Sequence, residues 1–379
     1  MNEFVKFYKE YGGVLDPKDI GDIREHMYRR KRLYEMLGIP SFAFHGIDLL
    51  DIGGGSGYNT LVFLFLGAKV DLVEPNEVAV HSALKLFEKY QIPKSQYTIY
   101  NEILESFKGE NAYKVIIAEG FLHSLYAENR QEVIECIKKY ANIGTYIVVT
   151  TMCEFSYFYE DLRRILGLIL ISKIEDRKQK IEILSRAFGS HLNNLKYAVR
   201  PVEDWVVDTI LNPGGDVKLF SIEECVKYFG EGYEVVGMSP NLIPNQSWYK
   251  DMQYSYSKEI LREFSFKKHL LIDRNFKDFE RKHVKNQELY KELICFREYI
   301  GKFRREPNEL FIIRIIEILQ RILDKNKDLG EVFMGCVQES IVLLRNFQSI
   351  KWQNVASAKK ISKAWGRGLQ YISFVKNKE

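Results

Sequence analysis

The sequence has no hydrophobic run approaching the roughly 18 apolar residues that a membrane-spanning helix needs. An apolar stretch such as residues 166–171 (LGLILI) is far too short to cross a bilayer. Its first residues, MNEFVK, contain no hydrophobic core of a signal peptide. These absences predict a cytoplasmic protein without a membrane span.

Cysteine is scarce and scattered. The five cysteines are odd in number and never fall in C-x-x-C spacing, which argues against a disulfide framework or a zinc site. We therefore predict reduced thiols and no metal, leaving open only a metal site assembled from distant carboxylates. The formal charge of +4 is too small to indicate nucleic-acid binding, and 46% hydrophobic with 28% charged residues is ordinary for a globular protein.

One stretch, residues 49–59 (LLDIGGGSGYN), organises the chain. Two apolar residues lead into an acid, glycines recur at positions 53, 55 and 57, and an apolar helical pattern follows. Strand, glycine turn and helix are the sequence form of a ligand loop at the edge of an α/β sheet. A dinucleotide fingerprint would need glycine where Tyr58 stands, and no Gly-Lys-Ser/Thr of a P-loop follows.

A second acid follows at the distance that such a fold requires. Residues 69–76 (KVDLVEPN) predict a short apolar strand that ends at Glu74, about twenty residues beyond the first strand. A carboxylate suits a vicinal diol because each oxygen accepts a hydrogen bond. Glu74 is therefore the predicted partner of a ribose.

Strand and helix patterns then alternate. A helix is predicted at 76–90, followed by strands at 96–100, 113–120 and 145–150, with a second helix at 130–140 between the last two strands. This alternation predicts a doubly wound parallel α/β sheet that binds its ligand at the carboxyl ends of the strands.

The glycine loop, the acid at Asp51 and the acid at Glu74 together resemble motif I and the second strand of class I S-adenosylmethionine-dependent methyltransferases. The resemblance covers residues 49–150 and implies S-adenosyl-L-methionine as the cofactor. It also implies a seven-stranded Rossmann-like sheet with an antiparallel edge strand, for which residues 269–273 are the candidate. A polar residue after the third strand is expected to bind the adenine amino group, either Asn101 or Glu102. The predicted cofactor-binding residues are Asp51, Gly53, Gly55, Gly57, Tyr58, Asn59, Glu74, Asn101, Glu102 and Glu119.

Residues 119–123 (EGFLH) stand where motif IV of that family lines the methyl-transfer site. His123 is the predicted general base because imidazole titrates near neutrality. Glu119 is the alternative, either as the base or as a partner of the cofactor's amino group. Further candidates are His191, Asp204 and Glu154 for the base, and Tyr28 and Arg32 of the basic N-terminal segment for the cofactor's carboxylate or a substrate phosphate.

The patterns divide the chain into three parts. Residues 1–45 form a polar helical segment, 46–275 the methyltransferase domain with a helical cap insertion at about 153–216, and 276–379 a helical C-terminal region. The last part is expected to pack on the sheet or to mediate homo-oligomer formation.

The acceptor is predicted from a looser resemblance. A helical insert with RPVEDW (200–205), a loop with SPNLIPNQSWYK (239–250) and a helical C-terminal region resemble methyltransferases of bacterial surface-sugar biosynthesis. They imply O-methylation of a sugar or nucleotide-linked sugar, held by aromatic faces and cations. Alternatives are a methyltransferase acting on RNA or protein, or a cofactor-binding, non-catalytic partner subunit. The Asn/Asp-Pro-Pro-Tyr signature of base N-methyltransferases is missing. The predicted substrate contacts are Arg200, Asp204, Trp205, Trp248, Tyr249, Lys250 and Arg367.

Overall fold

A computed structural model describes residue 7 and residues 22–109, 112–195, 198, 200–213, 218–250 and 255–378. Most of the predicted N-terminal segment, residues 1–6 and 8–21, lies outside these ranges. The chain divides into two compact units, which differ from the three predicted parts. Unit 1 comprises Met1–Met152, Leu219–Phe264 and Leu369–Glu379, and unit 2 comprises Cys153–Lys218 and Ser265–Gly368.

Unit 1 is built on a seven-stranded sheet, as predicted, in the order β3-β2-β1-β4-β5-β7-β6. Strands β1 to β5 are parallel, and β7 runs antiparallel to both of its neighbours. The strands are β1 (Asp48–Ile52), β2 (Lys69–Val73), β3 (Tyr97–Tyr100), β4 (Tyr113–Ala118), β5 (Ala141–Thr151), β6 (Tyr233–Ser239) and β7 (Gln370–Lys376).

The antiparallel strand comes from the end of the chain. The prediction that residues 269–273 form it was wrong, because Lys268–Leu271 is a 3-10 helix in unit 2. The sequence QYISFVK supplies β-branched and aromatic residues, which suit a strand paired on both sides. The strand therefore lies between β5 and β6 rather than at the edge.

Helices connect the strands and form almost all of unit 2. Asp22, Asn76 and Ser221 each cap a helix by accepting a backbone N–H on the side-chain oxygen. The helices are α1 (Ile23–Met36), α2 (Tyr58–Phe65), α3 (Glu77–Lys89), α4 (Ala127–Lys139), α5 (Glu154–Ile171), α6 (Arg177–Asn193), α7 (Val202–Val206), α8 (Ile222–Phe229), α9 (Tyr256–Lys267), α10 (His283–Arg305), α11 (Glu309–Lys325), α12 (Gly330–Arg345) and α13 (Trp352–Ala356).

Unit 2 packs around α5, which is buried along almost its whole length although it carries several charges. Arg163 donates to the carbonyls of Ile361 and Ala364, both at 2.7 Å, and Asp161 accepts two hydrogen bonds from Arg297 at 2.6 and 2.7 Å. Buried charges are tolerated when they are paired in this way. The predicted insertion and the predicted C-terminal helices thus belong to one helical unit.

Among the described residues, no helix combines the length and the apolar character needed to cross a membrane.

Candidate functional site

The predicted cofactor residues converge at one edge of the sheet in unit 1. Neighbouring strands β1, β2, β3 and β4 end side by side, about 4.8 Å apart. The glycine loop follows β1, Glu74 follows β2, Asn101 follows β3 and Glu119 follows β4. Separate segments of the sequence therefore meet at a single site.

The glycine loop lies so close to the fold that side chains would not fit. A Cβ on Gly54 would lie 2.5 Å from Leu72, and one on Gly57 would lie 2.9 Å from Ala83 and Phe87. Gly57 also has a φ of +80° where it begins α2, a conformation that favours glycine. The loop can thus present bare backbone to a ligand at the first turn of a helix.

Glu74 is held in place by two backbone groups. Its Oε1 accepts from the N–H of Asn76 at 2.8 Å, and its Oε2 accepts from the N–H of Gly55 at 3.0 Å. Burial raises the pKa of the carboxyl above its usual value, and these two hydrogen bonds oppose that shift. Because each carboxylate oxygen has two lone pairs, one acceptor position remains on each oxygen. That geometry matches the two hydroxyls of a ribose.

Asp51 lies beneath the loop rather than in the site. It is 2% exposed and accepts a hydrogen bond from Thr60 Oγ1 at 2.7 Å. Burial raises the pKa of Asp51 to about 7; the charge on Glu119 adds to this, while the Thr60 hydrogen bond and Arg30 lower it. Asp51 supports the loop from behind, and its direct contact with a cofactor stays a prediction.

Asn101 is oriented by its neighbour on the next strand. Its Nδ2 donates to the backbone carbonyl of Glu74 at 2.9 Å. This bond fixes the amide and leaves Oδ1 as an acceptor suited to an amino group such as that of adenine. Glu102, the alternative candidate, is the next residue and is half-buried.

Glu119 is engaged by α1. Arg30 Nη2 forms an ion pair with Glu119 Oε2, and the Tyr34 hydroxyl donates to Glu119 Oε1 at 2.9 Å. Asn59 Nδ2, from the first turn of α2, lies 3.5 Å from Oε2. These contacts fix the Glu119 carboxylate between α1 and the first turn of α2.

The residues of α1 that matter here were missed in the sequence. His26, Arg30 and Tyr34 recur every four residues and therefore line one face of the helix. Arg30 and Tyr34 are buried, whereas His26 is half-buried and hydrogen-bonded to the segment Tyr58–Asn59. Burial lowers the pKa of His26 to about 4, helped by the positive charges of neighbouring arginines. The four-residue spacing was the available signal.

The predicted Tyr28 and Arg32 lie on the opposite face of α1. Tyr28 is 65% exposed, and Arg32 pairs on the surface with Glu35 at 2.5 Å. Their role in binding a cofactor carboxylate or a substrate phosphate stays a prediction.

His123 lies where the sequence placed it, in the 3-10 helix Leu122–Ser124 that follows β4, and is half-buried. The segment is tied to β5 because Gly120 N donates to Thr150 Oγ1 at 2.7 Å. The Phe121 ring packs against Gly53, where a Cβ would lie 3.0 Å away. His123 therefore belongs to a segment that adjoins the glycine loop.

The loop after β6 carries an exposed aromatic pair. The Trp248 and Tyr249 rings, 63% and 78% exposed, meet edge to face at 5.6 Å. Lys250 Nζ lies 5.2 and 5.5 Å from their centroids. Since β6 and β5 are both antiparallel to β7, β6 ends at the same edge of the sheet as β4.

Two predicted substrate contacts have structural roles in unit 2. Trp205 is 8% exposed and packs against the rings of Phe188 and Trp365 at 5.8 and 6.0 Å. Arg367 donates to the carbonyls of Leu270 and Phe276, both at 2.8 Å. These side chains contact other residues of unit 2, and their assignment to the substrate stays a prediction.

The remaining candidates also lie in unit 2. Arg200 forms an ion pair with Asp208, and Asp204 stands in the first turn of α7. Glu154 is buried at the start of α5. His191 is buried with its Nε2 2.9 Å from the Val355 carbonyl, and burial lowers its pKa to about 4, which argues against a role as the base. Within the described ranges, no three His, Cys, Asp or Glu side chains form a metal-binding group.

Comparison with known proteins identifies the domain. Residues 25–193 match a family described as a methyltransferase domain. No protein of curated function matches the sequence. Among solved structures, the chain is similar to magnesium protoporphyrin IX methyltransferase (ChlM) from Synechocystis PCC 6803, at 15% identity over 62% of this chain and 85% of that one, with a TM-score of 0.36. The N-methyltransferase NodS from Bradyrhizobium japonicum WM9 matches at 15% identity over 41% and 75%, with a TM-score of 0.33.

Coverage of other solved structures is lower. TehB from Haemophilus influenzae matches at 22% identity over 28% of this chain, with a TM-score of 0.26. The chain spans only 36% of TehB and 44% of a methyltransferase from Thermoplasma acidophilum described as putative. The choice of acceptor must therefore be argued from this chain's own residues.

Proposed function

We propose that this chain, whose residues 25–193 match a family described as a methyltransferase domain, uses S-adenosylmethionine to methylate an oxygen of a sugar or nucleotide-linked sugar in surface-glycan biosynthesis. When bound, the cofactor supplies a methyl group that its sulfonium already makes electrophilic. The protein has to bind the cofactor, orient the acceptor and remove a proton from the acceptor hydroxyl.

The residues at the strand ends fit this cofactor. Glu74, with one acceptor position left on each oxygen, takes the ribose hydroxyls. The Oδ1 of Asn101 accepts from the adenine amino group, and the backbone of the glycine loop lies along the nucleoside. Glu119 receives the ammonium of the methionine moiety. These roles follow from donor and acceptor chemistry at the positions described above.

His123 is the proposed general base. It stands in the segment after β4, and Glu119, the rival candidate, is already paired with Arg30. A positioned base contributes about 10² to 10⁴-fold to the rate of transfer to a hydroxyl. Holding the acceptor in line contributes more, roughly 7 to 11 kcal/mol.

The observation that carries the choice of a sugar is the exposed pair Trp248 and Tyr249. Aromatic faces pack on the apolar face of a sugar ring, and Lys250 beside them suits a phosphate. The loop is anchored where Ile243 is buried and its carbonyl accepts from Tyr256. Trp248 lies five residues beyond that anchor, and five extended residues span about 16 Å. The distance from β6 to β4 is about 14 Å, which is three strand spacings, so the loop is long enough to reach the end of β4.

The test is methyl transfer from isotope-labelled S-adenosylmethionine to a panel of nucleotide sugars and extracted glycans, followed by mass spectrometry. Replacing both Trp248 and Tyr249 by alanine should lower kcat/KM for the sugar at least about tenfold while leaving cofactor affinity unchanged. Phe42→Ala is the matched control, because Phe42 is 80% exposed but precedes β1, at the other end of that strand. Label found only in RNA or protein, or equal loss in both variants, would refute the sugar acceptor.

A further inference from the structure

Resting on the proposed cofactor site, we propose that Arg30 is a positioning residue: it holds the Glu119 carboxylate in the orientation that receives the cofactor's ammonium, without itself contacting the cofactor. The role concerns one end of the ligand only. Helix α1 thereby contributes to recognition of the methionine moiety, although the carboxylate that contacts it, Glu119, follows a strand of the sheet.

The contacts around Arg30 are those of a fixed, buried guanidinium. Arg30 is 7% exposed and its Nη2 bonds both the Tyr34 hydroxyl and Glu119 Oε2. Its guanidinium carbon lies 4.9 Å from the centroid of the Tyr34 ring and 5.7 Å from that of the Tyr371 ring. Two aromatic rings and one carboxylate thus hold the planar group from three sides.

The charges near Glu119 explain why a cation is needed. Asp51 on β1 acts electrostatically on the same region, and Glu74 acts on Asp51. Tyr34 on α1, Tyr371 on β7 and Asn59 on α2 also interact with Glu119, but none of these side chains carries a positive charge. Arg30 is the cation paired with Glu119 among the described residues. This buried ion pair therefore fixes the position of the Glu119 carboxylate.

The geometry also argues against Arg30 as a direct partner of the cofactor's carboxylate. Its Nη2 donates to Glu119 and Tyr34, and the residue as a whole is 7% exposed, which leaves little of it open to a ligand. Arg30 therefore acts through Glu119. The consequence is that loss of Arg30 should affect ligands with an ammonium and spare those without one.

The experiment measures dissociation constants by calorimetry for S-adenosylmethionine and for 5′-methylthioadenosine, which keeps the nucleoside but lacks the amino-acid group. Arg30→Met should weaken S-adenosylmethionine about 10- to 100-fold, the range for losing a charge-assisted hydrogen bond, and change 5′-methylthioadenosine less than about threefold. Arg30→Lys should recover part of the loss because it restores the charge. Arg32→Met, which removes a surface arginine from the same helix, is the matched control.

The comparison of the two ligands distinguishes positioning from a fold defect. Glu119→Gln, like Arg30→Met, should weaken S-adenosylmethionine and spare 5′-methylthioadenosine. Equal weakening of both ligands, or an unchanged ratio between them, would overturn the role of Arg30. Failure of both ligands to bind the wild-type protein would instead overturn the proposed cofactor site.

Discussion

The substitution Glu74→Gln gives the sharpest test of the cofactor site, because it changes charge and acceptor count but hardly any volume. Glu74 accepts two backbone hydrogen bonds, from Gly55 and Asn76, and is proposed to accept two more from the ribose. In the glutamine variant the amide nitrogen accepts none of these. One backbone N–H and one ribose hydroxyl therefore lose their acceptor. The other two hydrogen bonds remain, but their acceptor is now a neutral amide oxygen.

The expected cost follows from those bonds. A hydrogen bond to a charged group contributes about 1.5 to 3 kcal/mol, and every 1.4 kcal/mol is about a tenfold change in the dissociation constant. We expect affinity for S-adenosylmethionine to fall about 100-fold, and affinity for 5′-methylthioadenosine to fall equally because it keeps the ribose. The fold should lose much less, because removing a buried charge offsets part of the broken backbone bond.

Calorimetric titration at neutral pH measures the affinities, and a thermal melt checks that the variant is folded. Glu77→Gln is the matched control: Glu77 lies three residues further along, exposed in the first turn of α3. A folded Glu74→Gln protein that binds within threefold of wild type would refute the assignment of the ribose to this carboxylate.

Three further predictions concern the loop, the base and stability. Gly57→Ala should lower the melting temperature more than Gly144→Ala, because both have positive φ but only position 57 brings a Cβ within 2.9 Å of Phe87; equal shifts would contradict the packing argument. His123→Ala should keep cofactor affinity and slow turnover about 10² to 10⁴-fold once an acceptor is known, a result that wild-type rates would exclude. His191, with its pKa lowered to about 4 by burial, stays neutral when folded, so its contribution is complete above pH 6.5 and is lost as pH falls towards 4. In His191→Gln the free energy of unfolding, measured in denaturant melts, should fall less steeply over this pH range, by up to about 1.4 kcal/mol per pH unit. Parallel curves of unfolding free energy against pH for the variant and the wild type would contradict this prediction.

Much of unit 1 could be predicted because its signals are local. The glycines at 53, 55 and 57 and the acid at Glu74 are spaced by the strand–turn–helix geometry itself, so the sequence order carries the site. The parallel strands read as apolar runs because the sheet buries them on both sides. The seventh strand was misplaced for the opposite reason: β7 pairs with strands that lie far away in sequence, and no local pattern reports such a partner.

Long-range pairing also explains what the sequence could not show at the site. Arg30 and Arg32 have the same side chain, and only the contact with Glu119, 89 residues away, distinguishes the buried guanidinium from the surface one. Trp205 and Arg367 were read as substrate contacts from residue type, yet each finds partners in the helical unit. Aromatic and cationic side chains serve packing as readily as binding, so composition alone did not decide between them.

The Glu74→Gln and Arg30→Met experiments together test the orientation of the cofactor. Glu74 and Glu119 follow different strands, β2 and β4, with β1 and its glycine loop between them. The nucleoside end of the ligand should respond to Glu74→Gln and ignore Arg30→Met, whereas the amino-acid end should respond to both Arg30→Met and Glu119→Gln. A general loss of structure would weaken S-adenosylmethionine and 5′-methylthioadenosine alike in every variant. Equal weakening of both ligands by Glu74→Gln, together with selective weakening of S-adenosylmethionine by Arg30→Met, is the pattern expected of a ligand that lies across the loop with its ribose at β2 and its methionine at β4. That orientation directs its methyl group towards the segment carrying His123.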